Sequence, residues 1–318
     1  MSSASKYALS APHVSALIPV FNGADTVGRA IQSALAQGFA RDLEVIVVND
    51  GSTDSTPAVL ERYYPQIIVI NQPNRGLAAA RNAGAAIAKG EYLAFLDADD
   101  IWLPNKLALT TAALDRASDA VLAYSDLIPV DNDGRELPSS PVTPELAHAP
   151  SMAELLTRWW PILPSAVVMR RNVYELCGGS CERFQRSYED VDLWLRAREQ
   201  GNFLYLGERL LKYRTTPVPE RMGKYEDDYA VFEERVSERY GARARTLLRA
   251  TRRAYVSALG HGGLTAMREG DMAAARDKFL RALHYDPMHL KSALRLARTF
   301  LPKFLAQALT GRTRRVPR

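Results

Sequence analysis

The sequence predicts an α/β fold in which helices flank a mostly parallel central sheet, followed by an α-helical appendage. Short apolar runs alternate with segments of helical periodicity over the first hundred residues, a pattern typical of a doubly wound parallel sheet. The charge also changes along the chain. From Gly241 onward there are 17 Lys and Arg against 4 Asp and Glu, and the totals of 41 and 36 leave 24 against 32 for the residues before it. We therefore expect an acidic module followed by a basic one.

Four apolar runs are the expected strands of the first half of the sheet, at residues 14–20, 43–48, 67–70 and 92–96. A helix is predicted after each of the first three. The second of these helices has Ser55 or Thr56 as its cap and Pro57 in its first turn, and the third, Ala-rich helix is closed by Gly90. Loops that follow parallel strands lie at one edge of a sheet, so Asp50 and the segments 74–81 and 97–99 should meet in one crevice.

The elements after residue 103 are less regular. We expect a helix beginning near Pro104 and Asn105, a hairpin turn at residues 131–134 and a loop rich in Pro and Ser at 137–150. Further strands are predicted at 120–124 and 165–169. The acids of the 131–134 segment are interpreted as turn residues and not as ligands.

An acidic cluster follows the fourth predicted strand. Asp97 and Asp99 flank one small residue and can reach the same point, whereas Asp100 faces elsewhere. Two close carboxylates suit a hard divalent cation, Mn²⁺ or Mg²⁺, with substrate phosphates as further ligands. The alternative is a loop of solvated aspartates that caps the next helix.

A second acidic cluster begins another predicted helix. Glu189, Asp190 and Asp192 fall in its first turn, where the helix dipole favours negative charge, and Val191 and Leu195 form its inward face. Taken alone, the segment is explained by helix capping.

Composition and simple motifs exclude several classes of protein. Hydrophobic residues make up 47% and charged residues 24% of the 318 residues, as in soluble globular proteins. No stretch is long enough to cross a bilayer and the start has no apolar signal core, so we expect a cytoplasmic protein. Cys177 and Cys181 are expected to be free thiols. The chain lacks the glycine-rich phosphate cradles of dinucleotide-binding and P-loop proteins, so a bound phosphate needs metal and side chains.

Four motifs, in this order, resemble the signatures of glycosyltransferase family 2. They are Ile-Pro-Val-Phe-Asn at 18–22, Val-Val-Asn-Asp-Gly-Ser-Thr-Asp at 47–54, Asn-Arg-Gly-Leu-Ala-Ala-Ala-Arg-Asn-Ala-Gly at 74–84, and Phe-Leu-Asp-Ala-Asp-Asp at 95–100. The resemblance covers roughly residues 14–214. It implies a GT-A fold, a nucleotide-diphosphate sugar donor and inversion at the anomeric carbon. We expect a catalytic domain at 1–220, divided into a donor half at 14–103 and an acceptor half at 104–220, and a basic helical region at 221–318.

The resemblance also assigns roles to individual residues. Asp190 would be the catalytic base and Glu189 an acceptor contact, with Asp192 and Arg196 in support. Asp99, with Asp97, would hold the divalent metal. The implied donor contacts are Pro19, Phe21 against the base, Asp50 accepting a hydrogen bond from the base, Arg81 at the base or ribose with Arg75 beside it, Asp97 at the ribose and Arg214 at the diphosphate. Trp160 would stack on an acceptor sugar or pack in the core.

The mechanism implied is transfer of a single sugar to a hydroxyl of a glycan or lipid-linked acceptor, in the synthesis of cell-surface polysaccharide or glycolipid. Processive synthases of the family carry Gln-x-x-Arg-Trp, and here the Gln before Arg158-Trp159 is missing. Two alternatives stay open. The first is a nucleotidyltransferase, which would need a glycine-rich, Lys-containing loop after the first strand. The second is a non-catalytic scaffold that binds its partners through the repeat-like helical tail.

The basic tail combines a repeat-like segment with an amphipathic helix. Residues at the spacing of one tetratricopeptide repeat are Gly263, Gly270, Ala275, Phe279, Ala282 and Pro287. A helix is then expected from Asp286 and Pro287, with an apolar stripe at Leu290, Leu294, Ala297, Leu301, Phe304, Leu305 and Ala308. Its basic face suits either peripheral contact with an anionic membrane, at the inner face, or docking on the protein itself. Nucleic acid is not expected as a partner, because the tail has little aromatic interleaving.

Overall fold

The computed structural model contains two compact units, Met1–Thr216 and Pro217–Arg318. The structure describes residues 13–38, 43–138, 151–157, 162–185, 187–215 and 218–300. Within these ranges the strands of the first unit are β1 (Val14–Val20), β2 (Leu43–Asp50), β3 (Ile68–Gln72), β4 (Tyr92–Phe95), β5 (Ile101–Trp102), β6 (Ala120–Val130), β7 (Val167–Arg170) and β8 (Asn202–Arg214). Its helices are α1 (Val27–Leu35), α2 (Thr56–Glu61), α3 (Leu77–Ile87), α4 (Lys106–Arg116), α5 (Met152–Thr157), α6 (Arg171–Leu176) and α7 (Glu189–Arg198).

The strands of the first unit that the structure describes form one sheet in the order β3-β2-β1-β4-β7-β6-β8-β5. β1 is parallel to β2 and β4, and β2 is parallel to β3, which confirms the doubly wound half of the prediction. Strand β7 is antiparallel to both β4 and β6, and β5 is antiparallel to β8, so the second half is mixed. The alternation of strands and helices that predicts parallel pairing stops at β6, which is followed by a hairpin turn.

The order of the strands reverses beside β1, because β2 lies on one side of it and β4 on the other. The carboxyl ends of β1, β2, β3 and β4 therefore lie at one edge, where ligands of open α/β sheets bind. Helix α3 packs closely behind this edge. A Cβ added at Gly84 would lie 3.2 Å from Leu17 and 3.3 Å from Val48, so only glycine allows this approach without displacing its neighbours.

Two local predictions are settled by hydrogen bonds. The turn at residues 131–134 forms as predicted, with Asp131 Oδ1 accepting from the backbone N of Asp133 and of Arg135, both at 2.9 Å. Neither Ser55 nor Thr56 caps α2 with its side chain. Asp54 does so instead, since its Oδ1 accepts from the backbone N of Thr56 at 2.9 Å and from its hydroxyl at 2.5 Å.

The second unit is helical, with α8 (Val218–Tyr240), α9 (Ala244–Glu269), α10 (Met272–Tyr285) and α11 (Leu290–Arg298). Helices α9 and α10 form the repeat-like hairpin, with a core of Ala266, Ala275 and Phe279. A Cβ added at Gly263 would lie 2.6 Å from the Phe279 ring, which explains the glycine at this position.

One prediction for the second unit is wrong. The last described helix begins at Leu290 and not at Asp286 or Pro287, because Asp286 initiates a turn. Its Oδ1 accepts from the backbone N of Met288 at 3.1 Å, and its carbonyl accepts from the backbone N of His289 at 3.0 Å. The predicted positions Leu301, Phe304, Leu305 and Ala308 lie outside the described residues.

Neither Cys177 nor Cys181 forms a disulfide, in agreement with the prediction of thiols. Among the described residues, no helix has the length and apolar character that crossing a bilayer requires. Most of the loop predicted at 137–150 lies outside the described ranges.

Candidate active site

The carboxylate of Asp50 organises the loop between β3 and α3. Asp50 is buried at the end of β2, and its Oδ1 accepts from Gln72 Nε2 at 2.7 Å and from the backbone N of Arg75 at 2.9 Å. Its Oδ2 accepts from the backbone N of Gly76 at 2.8 Å. Gly51 has φ +76°, and a Cβ there would lie 2.6 Å from the backbone N of Asn74. A carboxylate has about four acceptor positions, so Asp50 still has capacity to accept from a ligand.

The loop after β1 is tied to the loop after β2 through Asn22, a residue to which the sequence assigned no role. Asn22 has a left-handed backbone, its N donates to Ser52 Oγ at 2.9 Å, and its Oδ1 accepts from the backbone N of Thr53 at 2.8 Å. Beside it, Phe21 has 49% of its surface exposed, whereas Pro19 is buried within β1. The exposed ring is thus available to a ligand at this edge.

Arg81 joins two parts of the chain that are far apart in sequence. Its side chain is only 3% exposed; Nη2 donates to Asp97 Oδ1 and Nη1 donates to Glu189 Oε1, each at 2.9 Å. Burial disfavours the charge, but the carboxylates of Asp97 and Glu189 outweigh it and raise the pKa of Arg81. The sequence predicted contact with a base or ribose, whereas both terminal nitrogens contact carboxylates of the protein.

Asp190 lies next to this bridge. It lines a narrow crevice with Arg81, Phe95, Pro164, Leu193 and Trp194. Burial, followed by the charge of Glu189, raises the pKa of Asp190 from 3.8 to about 7, while Arg81 opposes the shift. A carboxylate with such a pKa suits a general base near neutral pH. Tyr188, the residue just before helix α7, has φ +65°, which is an uncommon backbone conformation for a non-glycine residue.

Helix α7 is held in place by Asp192 and Arg196. The Arg196 Nε and Nη2 donate to Asp192 Oδ2 at 3.0 and 2.6 Å, and its Nη1 donates to the carbonyls of Cys177 and Gly179. Both side chains are 7% exposed. This supporting role agrees with the one the sequence suggested.

Asn82, next to Arg81, fixes α3 to the segment before α7. Its Nδ2 donates to the carbonyl of Ser180 and to Glu182 Oε1, both at 2.9 Å, and its Oδ1 accepts from Tyr174 Oη at 2.7 Å. The sequence reasoning missed this residue. The signal available was a polar residue inside a helix whose other residues are mostly alanine.

The aspartates after β4 have different environments. Asp97 is partly buried and its backbone N donates to Ser165 Oγ at 2.9 Å, whereas Asp99 is exposed. Asp100 is buried, with Oδ1 accepting from the backbone N of Arg214 at 2.9 Å. Burial and then the charges of Asp99 and Asp97 raise the pKa of Asp100 well above its ordinary value. The charges of Asp99 and Asp97 thus disfavour a third negative charge at Asp100.

This donor set fits a divalent cation whose other ligands come from substrate. The described residues include no group of three or more His, Cys, Asp or Glu arranged to hold a metal ion without help. Asp97 and Asp99 nevertheless supply hard oxygen atoms where negative charge accumulates, and Mg²⁺ sites often use one or two carboxylates plus phosphates.

The remaining predicted residues have these positions. Arg214, at the end of β8, donates from Nε to Asn132 Oδ1 at 3.0 Å. Arg75 is exposed and donates from Nη2 to Glu182 Oε2 at 2.8 Å. Trp160 lies outside the described residues. The structure thus brings together Arg81, Asp97, Glu189 and Asp190, and places Asp50 at the loop where α3 begins.

Comparison with known sequences gives three findings. The family model described as Glycosyl transferase family 2 matches residues 15–177, just over half of the chain. An uncharacterized glycosyltransferase of Rickettsia prowazekii is 28% identical over 241 residues, 71% of this chain and 73% of that protein. The chondroitin synthase of Pasteurella multocida is 30% identical over 200 residues, which cover 62% of this chain and 20% of that protein.

Among solved structures, TarS 1–349 of S. aureus in complex with UDP-GlcNAc superposes with a TM-score of 0.62 at 20% identity, covering 90% of each chain. At this identity the likeness shows a shared fold.

Proposed function

Because this chain belongs to glycosyltransferase family 2, we propose that it transfers one sugar from a nucleotide-diphosphate sugar to an acceptor hydroxyl, with inversion. The observation that carries the proposal is the Arg81 bridge. It holds Asp97 and Glu189 on one guanidinium, and Asp190 lines the crevice beside that guanidinium. These contacts support a single cleft for the donor-side and acceptor-side acids.

The reaction needs a base, and Asp190 fits that role. The acceptor hydroxyl gives its proton to the Asp190 carboxylate as its oxygen bonds to the anomeric carbon. The bond from that carbon to the diphosphate oxygen breaks on the opposite side, and its electron pair leaves with the diphosphate. A positioned base contributes about 10² to 10⁴ in rate. One displacement needs one base, which fits a single half-buried carboxylate.

The donor is proposed to lie across the carboxyl edge of the sheet. Phe21 offers an exposed ring to the nucleotide base, and Asp50 offers its remaining acceptor capacity to a base N–H. Asp97 and Asp99 would hold a divalent Mn²⁺ or Mg²⁺ ion, which when bound supplies Lewis-acid stabilisation of the leaving diphosphate. Arg214 is proposed to approach the same diphosphate from β8, and Glu189 to orient the acceptor with the carboxylate oxygen that does not accept from Arg81 Nη1.

The acceptor is proposed to be a growing glycan or a lipid-linked precursor. A relative named as chondroitin synthase builds a polysaccharide, but its match covers a fifth of that protein, so its substrates are not transferred to this chain.

The test is turnover of nucleotide-diphosphate sugars with Mn²⁺ or Mg²⁺, comparing the wild type with Asp190→Ala. A thermal-shift screen with uracil, guanine and thymine donors selects the donor first, since a bound ligand raises the melting temperature. We expect release of nucleoside diphosphate to fall at least 10²-fold in Asp190→Ala while the donor-induced shift is retained. Retained turnover, or loss of donor binding in step with turnover, would contradict the assignment. Formation of nucleoside triphosphate and sugar 1-phosphate from the same donor when pyrophosphate is added would instead indicate a nucleotidyltransferase, and no donor-induced shift in the wild type would favour a scaffold.

A further inference from the structure

Helix α11 leaves two of its three leucines exposed and buries a serine, whereas Leu296 packs against the core of the α9–α10 hairpin. Leu290 and Leu294, one turn apart, are 68% and 59% exposed, and Met288 just before them is 89% exposed. Ser292 is fully buried and Thr299 is 5% exposed. Within the described residues α11 is the last helix, and the last helix of a repeat array normally presents a polar outer face. The outer apolar stripe of α11 therefore calls for a partner.

Polar contacts fix this orientation of α11. The backbone carbonyl of Thr299 accepts from Arg276 Nη2 at 2.8 Å, and Ser292 Oγ lies 2.8 Å from His289 Nδ1. Arg295 Nη1 donates to the carbonyl of Gly260 in α9 at 3.3 Å. Rotating the helix to bury Leu290 and Leu294 would break the bonds made by Arg276 and Arg295, so the exposed stripe is built into the unit.

The sequence from Pro287 onward carries charge of one sign. From residue 287 to 318 the sequence contains no Asp or Glu and eight Lys and Arg, namely Lys291, Arg295, Arg298, Lys303, Arg312, Arg314, Arg315 and Arg318. Lys291 is exposed directly beside Leu290. Apart from Asp286, whose carboxylate accepts from the backbone N of Met288, the charged residues next to these apolar side chains in the sequence are cations, which matches a surface that offers both hydrocarbon and negative charge. Each Lys or Arg near an anionic bilayer adds to the attraction, and the effect falls off within a Debye length.

We propose that the outer face of α11, formed by Met288, Leu290 and Leu294 with Lys291 at its edge, docks the second unit on an anionic lipid bilayer. A second copy of the chain fits this face less well, because it would bring two wholly basic segments together. Nucleic acid would satisfy the charges but leave the leucines in water. The proposal concerns binding alone and does not depend on the transferase function.

The experiment uses the full chain and vesicle co-sedimentation. One set of vesicles is pure phosphatidylcholine, and the other contains about one quarter phosphatidylglycerol to supply negative surface charge. The test variant is Leu290→Ser with Leu294→Ser. The matched control is Leu176→Ser, a leucine that is 70% exposed at the end of α6 in the first unit. All of these side chains are exposed, so thermal unfolding should be unchanged in every variant.

We expect the wild type and Leu176→Ser to partition at least tenfold better onto anionic than onto neutral vesicles, and less well at high salt. The double variant should lose at least tenfold of the anionic partition. The proposal is overturned if the wild type sediments with neither vesicle, if it binds both equally, or if the double variant binds like the wild type. If light scattering shows that the wild type is a dimer and the double variant a monomer, the face binds a second copy of the chain and the proposal is overturned.

Discussion

Asp190→Asn should stabilise the protein while removing its activity. The wild-type carboxylate lies beside Glu189 in a largely apolar crevice, which raises its pKa from 3.8 to about 7. Asparagine keeps the oxygen that accepts from the backbone N of Val191 at 2.7 Å and removes only the charge. Folding then no longer has to bring a second carboxylate next to Glu189.

The size of the gain follows from the pKa. Each tenfold difference in proton affinity between folded and unfolded chain equals about 1.4 kcal/mol, so an ionised Asp190 costs at most about 4 kcal/mol. Asp190 is partly exposed and solvent screening reduces this ceiling, so we expect about 1–2 kcal/mol. For a unit of this size that corresponds to a melting temperature higher by about 3–6 °C.

The assay is thermal unfolding of both proteins between pH 4 and pH 8.5. Because the folded pKa of Asp190 is raised, the folded wild type takes up a proton more readily than the unfolded chain between about pH 4 and pH 7. The contribution of the Asp190 carboxyl to the free energy of unfolding of the wild type is therefore greatest at low pH and is lost as the pH rises through 7. The increase in melting temperature of Asp190→Asn over the wild type should reach its maximum above pH 7 and disappear near pH 4.

Asp192→Asn is the matched control on the same helix. Asp192 is buried and accepts two bonds from Arg196, so its neutralisation breaks a buried ion pair and should destabilise by about 3–5 kcal/mol. The two substitutions, two positions apart, should thus act in opposite directions. An Asp190→Asn protein that melts at or below the wild-type temperature at pH 8, or whose advantage is the same at pH 5, would refute the electrostatic reasoning.

Three further predictions concern catalysis and the second unit. Arg81→Lys should lower kcat about 10²-fold with donor binding retained, because a single ammonium cannot hold two carboxylates in a fork; steady-state kinetics test this, and an unchanged kcat would contradict it. The kcat/KM of the wild type should rise with pH to a plateau above about 7, since Asp190 must be ionised to accept a proton; a profile flat from pH 5 to 8 would exclude that role. Gly263→Val should destabilise the second unit by about 1–3 kcal/mol in thermal unfolding through its clash with Phe279, whereas Gly207→Val in β8, where an added Cβ would meet nothing within 4 Å, should be nearly neutral.

The location of the site could be predicted from the sequence because it depends on local rules. Apolar runs that alternate with helices give parallel strands, and parallel strands place the residues after them at one edge. Asp50 and Asp97 follow from that reasoning without any knowledge of tertiary contacts. The approach of Asp190 does not, since 93 residues of less regular chain separate it from Asp97; there the family resemblance supplied the expectation.

The contacts of individual side chains could not be predicted, for a different reason. Arg81 is in a helix, and its partners Asp97 and Glu189 are 16 and 108 residues away, so no local pattern distinguishes a solvated arginine from a buried bridge. The reversal of β7 and the orientation of α11 are decided in the same way, by which neighbours a segment meets. Periodicity showed that α11 has an apolar stripe but not which side of it the hairpin covers.

The small residues of α3 connect the fold to the proposed chemistry. Gly84 lets the helix lie against Leu17 and Val48, and Arg81 is one turn earlier on a neighbouring part of the same helix face. The guanidinium therefore enters the sheet edge from between the helix and the strands, where it reaches Asp97 and Glu189 together. Moving α3 outward by a few tenths of an ångström would loosen both bonds, and displacements near 1 Å can cost about 10²-fold in rate. The alanine-rich composition of α3 is thus a requirement of the site as much as of the core.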